Sequence, residues 1–154
     1  MINAEEILVE KKQTIVSCSR STTIKDAVVQ MTTGKVGSML IMEGDEVLGI
    51  WTERDLLRNV LQQGFDFERG KIGDHMTTNL HYAKHSDPPH LLLDKFLGLR
   101  IRHLLIEKEG KFIGMLSTGD VIKHNLRDTF TELKEQNEQT SWEYYESWGW
   151  QPQD

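Results

Sequence analysis

The 154-residue chain holds one cysteine, Cys18, and three prolines. With a single thiol it cannot form an internal disulfide, which fits a reducing compartment. No run of 18 apolar residues occurs, so no stretch has the length of a membrane-spanning helix. The first residues lack the apolar segment of a signal peptide. Together these absences predict a soluble, cytoplasmic protein. Positive charge is also short: 18 Lys and Arg stand against 24 Asp and Glu, a net charge of −6. That disfavours a nucleic acid or an anionic membrane as partner, while leaving room for a small anion in a local basic pocket. Walker-type loop, zinc-protease helix and nucleophile elbow are all missing, so no enzyme is expected. Gly34 to Gly37 falls between a helix and a strand, the wrong order for a phosphate loop. His75, His81, His85 and His90 are spread over a linker, a strand and a loop with no cysteine among them, and no metal site is expected there.

What the chain does contain is a repeat. Gly49 to Leu57, GIWTERDLL, reads as the end of an apolar strand, a sharp turn and the start of a helix. Thr52 stands at the N-cap and Asp55 three residues later, where a hydroxyl and a carboxylate satisfy the first amides of the helix. Gly114 to Ile122, GMLSTGDVI, repeats the pattern, with Ser117 and Asp120 in the places of Thr52 and Asp55, at an offset of 65 residues (120 − 55). At that offset Val36–Ile41 aligns with Ile101–Ile106, and Ala27, Val28 and Met31 align with Leu92, Leu93 and Phe96, without a gap from Ala27 to Leu126. So long a period marks the duplication of a small domain.

Read in order, residues 1–13 are a polar lead-in with an apolar patch at Ile7-Leu8-Val9. A short β-like stretch follows at Thr14–Ser17. Ser21-Thr22-Thr23 caps a helix over Ile24–Thr32, stopped by Gly34. Strands Val36–Met42 and Val47–Trp51 form a hairpin, and a helix spans Glu53–Gln63. The charged linker Phe65–Gly73 leads to a strand at Asn79–Ala83. Pro88 and Pro89 open a second helix. The hairpin returns as Ile101–Glu107 and Lys111–Leu116, followed by a helix from Thr118 that keeps an apolar face past Asp128. The tail from Glu135 is acidic yet carries Trp142, Tyr144, Tyr145, Trp148 and Trp150, more aromatics than a disordered segment holds. It reads either as a helix capping its own domain or as an anchor for a second subunit or partner.

The two halves resemble CBS domains, named after cystathionine β-synthase, which usually come in pairs. The resemblance rests on Gly, two apolar residues, Thr52 or Ser117, two variable residues, then Asp55 or Asp120, each in its strand–turn–helix context, and covers roughly residues 8 to 125. It implies an α+β fold of two βαββα-like halves about a pseudo-twofold axis. The domains are then 1–68 (N-terminal segment and first repeat), 69–128 (second repeat) and 129–154 (tail). It further implies a non-catalytic module with an adenosine nucleotide (AMP, ADP or ATP) between the repeats, no required cofactor, a homodimer, and a regulated partner protein on another chain. Asp55 and Asp120 are carried over as ribose ligands, Thr52 and Ser117 as phosphate or ribose contacts. Arg102 and His103 are expected to meet phosphate. Their counterparts Gly37 and Ser38 carry no charge and leave room for a ring or a backbone contact, with Arg54 and Lys35 compensating, so the two sites are not equivalent. The alternatives are a ligand-free dimerisation module, and a sensor of S-adenosylmethionine or a dinucleotide.

Overall fold

The computed structural model describes residues 2–11 and 15–136, with side chains up to Arg127. In chain order the elements are α1 (Ala4–Glu10), β1 (Ser17–Cys18), α2 (Ile24–Thr33), β2 (Ser38–Glu43), β3 (Glu46–Thr52), α3 (Glu53–Asn59), β4 (Tyr82–Lys84), α4 (Pro89–Leu99), β5 (His103–Lys108), β6 (Lys111–Ser117) and α5 (Thr118–Gln136). They make two three-stranded sheets, β1-β2-β3 and β4-β5-β6. In each the first pair is parallel and the second antiparallel. The register shifts between Ile41 and Met42 in one sheet and between Ile106 and Glu107 in the other, the same place under the 65-residue offset. The duplication read from sequence thus extends to the irregularities of the ladders.

Helix starts follow local chemistry. The Thr23 side chain accepts the Asp26 amide at the head of α2. Pro89 takes the first position of α4, where its missing N–H is not needed. The last helix runs past Asp128 to Gln136. The third helix is shorter than its apolar spacing suggests: it ends at Asn59, and Val60–Gln63 form turns. Asn59 closes the helix with its side chain turned inward, accepting the Trp51 indole N–H at 2.9 Å inside the core. The lead-in is a helix, α1, closed by a capping box of Asn3 and Glu6.

Each half has its own core. Ile24, Ala27 and Met31 of α2 pack on Met39, Ile41 and Trp51, with Ile72 from the linker. Leu92 and Phe96 of α4 pack on Leu104, Ile106 and Leu116, joined by Val121 and by Ala4 and Ile7 of α1. The N-terminal segment, placed ahead of the first repeat in sequence, therefore packs with the second. A third cluster joins the halves, with Leu40 and Val47 of one sheet against Leu105 and Met115 of the other. Both central strands, β2 and β5, are therefore buried on two faces. This accounts for their unbroken apolar runs, MLI and LLI, where a half-exposed strand would alternate. The aromatic residues after Gln136 lie outside the described residues.

Trp51 is fully buried and Asn59 nearly so. Trp51→Phe removes the indole donor and leaves the Asn59 carbonyl without it, which is expected to cost about 1–3 kcal/mol. Urea denaturation should show a lower midpoint at unchanged slope.

Candidate functional site

Where each strand pair ends and a helix begins, the two halves meet in two clefts. Hydrogen bonds at that junction are the same in both. Thr52 donates its backbone N–H and its hydroxyl to Asp55 Oδ2, both at 2.9 Å, and the hydroxyl accepts the Asp55 amide at 3.4 Å. Ser117 does the same with Asp120, at 2.7, 2.8 and 3.2 Å. The adjoining helix start is tied to the neighbouring strand by Glu53 N–H to Gly37 C=O at 3.1 Å, and by Thr118 N–H to Arg102 C=O at 3.0 Å.

The larger cleft has a volume of about 670 Å³. Its walls come from both halves: Ile50, Thr52, Glu53, Arg54, Asp55 and Arg58 on one side, and Leu80, His81 and the run Arg100-Ile101-Arg102-His103 on the other. Arg102 and His103 share a half with Asp120 in sequence, yet Arg102 faces the Asp55 cleft. The strand entrance of the second half thus lies against the helix start of the first, with Ser117 bordering the same cleft. The smaller cleft, about 200 Å³, is the twofold counterpart. Ile15, Val16 and Lys35-Val36-Gly37-Ser38 stand where Leu80, His81 and Arg100 to His103 stand in the first, and Met115 and Ser117 replace Ile50 and Thr52. Gly37, His103 and Ser117 border both clefts. Asp120 borders neither. A Cβ at Gly37 would sit 3.1 Å from Glu53 Oε2.

Two arginines of the large cleft, Arg58 and Arg100, were not among the residues singled out from sequence. Arg100 ends α4 in the left-handed conformation, φ 54°, and Lys35 holds the equivalent place after α2 with φ 51°. Glycine is the usual occupant of such a position, and a side chain there costs about 1–2 kcal/mol. Two basic residues at matched strained positions were the available signal. Lys11 was also missed. Its ammonium donates to Asp120 Oδ2 at 2.8 Å and to the Met115 carbonyl at 3.1 Å.

The carboxylates differ accordingly. Burial pushes the Asp120 carboxyl upward, but the Lys11 ammonium and the Ser117 N–H and hydroxyl outweigh it and hold it below the ordinary carboxylate range. At the first helix start, the exposed Arg58 guanidinium lies 3.9 Å from Asp55 Oδ1. His103 is pulled below the usual imidazole range, first by burial and then by Lys11 and Arg102, with Asp120 opposing. Among the described residues no group of three metal-ligating side chains converges. No helix among them is long and apolar enough to cross a membrane.

The CBS domain profile matches the chain twice, over residues 5–62 and 72–127. A mitochondrial CBS domain-containing protein of Arabidopsis thaliana is 33% identical over 125 residues, which are 78% of this chain and 61% of that protein. Two further curated relatives, one of them an arabinose 5-phosphate isomerase of Francisella tularensis, are matched over 18% and 32% of their lengths, so the chain spans less than two thirds of each of the three. A CBS-domain containing protein from Agrobacterium tumefaciens superimposes with a TM-score of 0.75 at 29% identity, over 80% of this chain and 99% of its own. A CBS domain protein from Pyrobaculum aerophilum, complexed with AMP, shares the fold with a TM-score of 0.67 at 24% identity, over 77% of this chain and 89% of its own. With the repeat in the sequence, the paired sheets and the two profile matches in agreement, the chain belongs to the CBS domain family and carries two copies of the domain in tandem.

Proposed function

We propose that this chain is a non-catalytic regulatory module that binds an adenosine nucleotide (AMP, ADP or ATP) in the Asp55 cleft and passes the event to a partner protein. One observation carries the reading: four arginines, Arg54, Arg58, Arg100 and Arg102, line a single cleft together with the acidic Asp55 and Glu53, in a chain of net charge −6. Arginine forks match phosphate oxygens in geometry and charge. In this reading Asp55 Oδ1, 3.9 Å from Arg58, accepts ribose hydroxyls while Thr52 holds the other oxygen. Ile50, Leu80 and Ile101 supply apolar surface for a base. The cleft volume lies within the range of small-molecule sites, about 300–1,000 Å³. His103 stands at the phosphate end, and a bound anion there would favour its protonated form.

Other CBS pairs take other adenosine ligands: one, 15% identical and alike in fold, was crystallised with 5′-methylthioadenosine and S-adenosyl-L-methionine. S-adenosylmethionine has no phosphate, so the four arginines favour a nucleotide here. Transmission is proposed to run through a homodimer. Leu57 and Leu61 after the first strand pair, and Ile122 and Leu126 at the same offsets in the second half, are all exposed. An apolar set repeated by the pseudo-twofold suits the self-complementary face of a C₂ dimer. The lone cysteine leads us to place the module in the cytoplasm.

Titration calorimetry of the purified chain with AMP, ADP and ATP is the direct test. Asp55→Ala and Arg102→Ala should each weaken binding by about 10- to 100-fold, the weight of one charge-assisted hydrogen bond. A folded protein that takes none of the three overturns the reading.

Stability should depend on pH in two windows. A His103 held below its ordinary value means the unfolded chain binds the extra proton, so stability is lost as pH falls below about 6.5. His103→Gln should flatten that part of the profile in thermal melts. The depressed Asp120 carboxyl contributes stability above about pH 4, lost as pH falls through its folded value. In sedimentation, Leu61→Glu with Leu126→Glu should convert the dimer to monomer.

A further inference from the structure

The small cleft has the same construction as the large one but is occupied by the protein itself. Its twofold-related walls leave about 200 Å³ against 670 Å³. The carboxylates at the two helix starts also differ in one partner. Asp120 Oδ2 accepts three hydrogen bonds, from Ser117 N–H, Ser117 Oγ and Lys11 Nζ, while Asp55 Oδ2 accepts the two from Thr52. Shifted by 65 residues, Lys11 corresponds to Met76. Met76 lies against Gly49, where a Cβ would come within 2.7 Å of its sulfur, and makes no ion pair. Against the equivalent Gly114 it is Leu8 that packs, where a Cβ would come within 2.8 Å of its Cδ2, and Lys11 sends its ammonium to the carboxylate instead. Its side chain is only 14% exposed.

The residues before Lys11 hold it there. Ala4 and Glu5 of α1 donate their amides to the Asp87 and His85 carbonyls at 2.9 Å, and Ile7 is buried in the second half's core. Glu10 meets His124 Nδ1 at 3.2 Å on α5. The ammonium is thus fixed on Asp120 by a docked helix.

We propose that Lys11 is a built-in counter-ion that occupies Asp120 in place of a ligand's hydroxyl groups, so that the chain takes one adenosine ligand, in the Asp55 cleft, and keeps the sister cleft closed while α1 is docked. The proposal rests on the nucleotide reading of the Asp55 cleft and concerns how many ligands the pair holds. Charge complementarity is satisfied internally, and the remaining volume falls below the range of ligand pockets.

The test is calorimetry of the full chain with AMP, comparing the natural protein with Lys11→Met, which installs the residue that the first repeat carries at this place. One AMP per chain is expected for the natural protein and two for the variant. The gained site should vanish when Asp120→Ala is added, and the original one when Asp55→Ala is added. Two AMP bound by the natural chain, or still one by Lys11→Met, overturns the proposal and leaves the nucleotide reading standing. Binding by Lys11→Met alone, lost with Asp120→Ala, supports the counter-ion and sinks the nucleotide reading of the Asp55 cleft. AMP bound by neither overturns both. If circular dichroism shows Lys11→Met unfolded, Lys11→Gln, which keeps most of the stem and drops the charge, is read by the same outcomes.

Discussion

Everything in this molecule leans on the contact between two sheets, in which Leu40 and Val47 of one half close on Leu105 and Met115 of the other. Each half is about 60 residues, a size at which a single core is marginal. The shared cluster removes apolar surface that either half would expose alone, at about 25 cal/mol per Å². It also forces β2 and β5 to be apolar on both faces, leaving polar chemistry to the strand ends. Those ends, at Ser38, Thr52, His103 and Ser117, are where the clefts lie.

Because the sheets meet about a pseudo-twofold, the strand entrance of one half is delivered to the helix start of the other. A cleft is therefore a product of both repeats, and a ligand in it must touch both. Any ligand that prefers one relative angle of the halves can shift that angle by no more than its difference in affinity for the two arrangements.

Duplication supplies two clefts, and single residues then set them apart. Arg102, where the first half has Gly37, gives the large cleft part of its charge. Lys11 against Met76 gives the other its internal ion pair. Lys35 and Arg100, both in the left-handed region, show what the two still share. The hairpins are repeated down to their register shifts, so within them side chains carry the divergence.

Sequence by itself determined the duplication, the α+β class, the helix caps at Thr52 and Ser117 and most element boundaries, because these follow from local spacing and short-range hydrogen bonds. It also identified Asp55, Arg54 and Arg102, which line the large cleft, as candidate residues. Only the tertiary structure decided that Arg102 lines the same cleft as Asp55, that α1 belongs to the second half's core, and that Lys11 reaches Asp120 across 109 residues of chain. The physical reason is the same in each case. A residue's partner is set by how the two sheets pack, and the offset that relates the halves says which positions are alike but not which are neighbours.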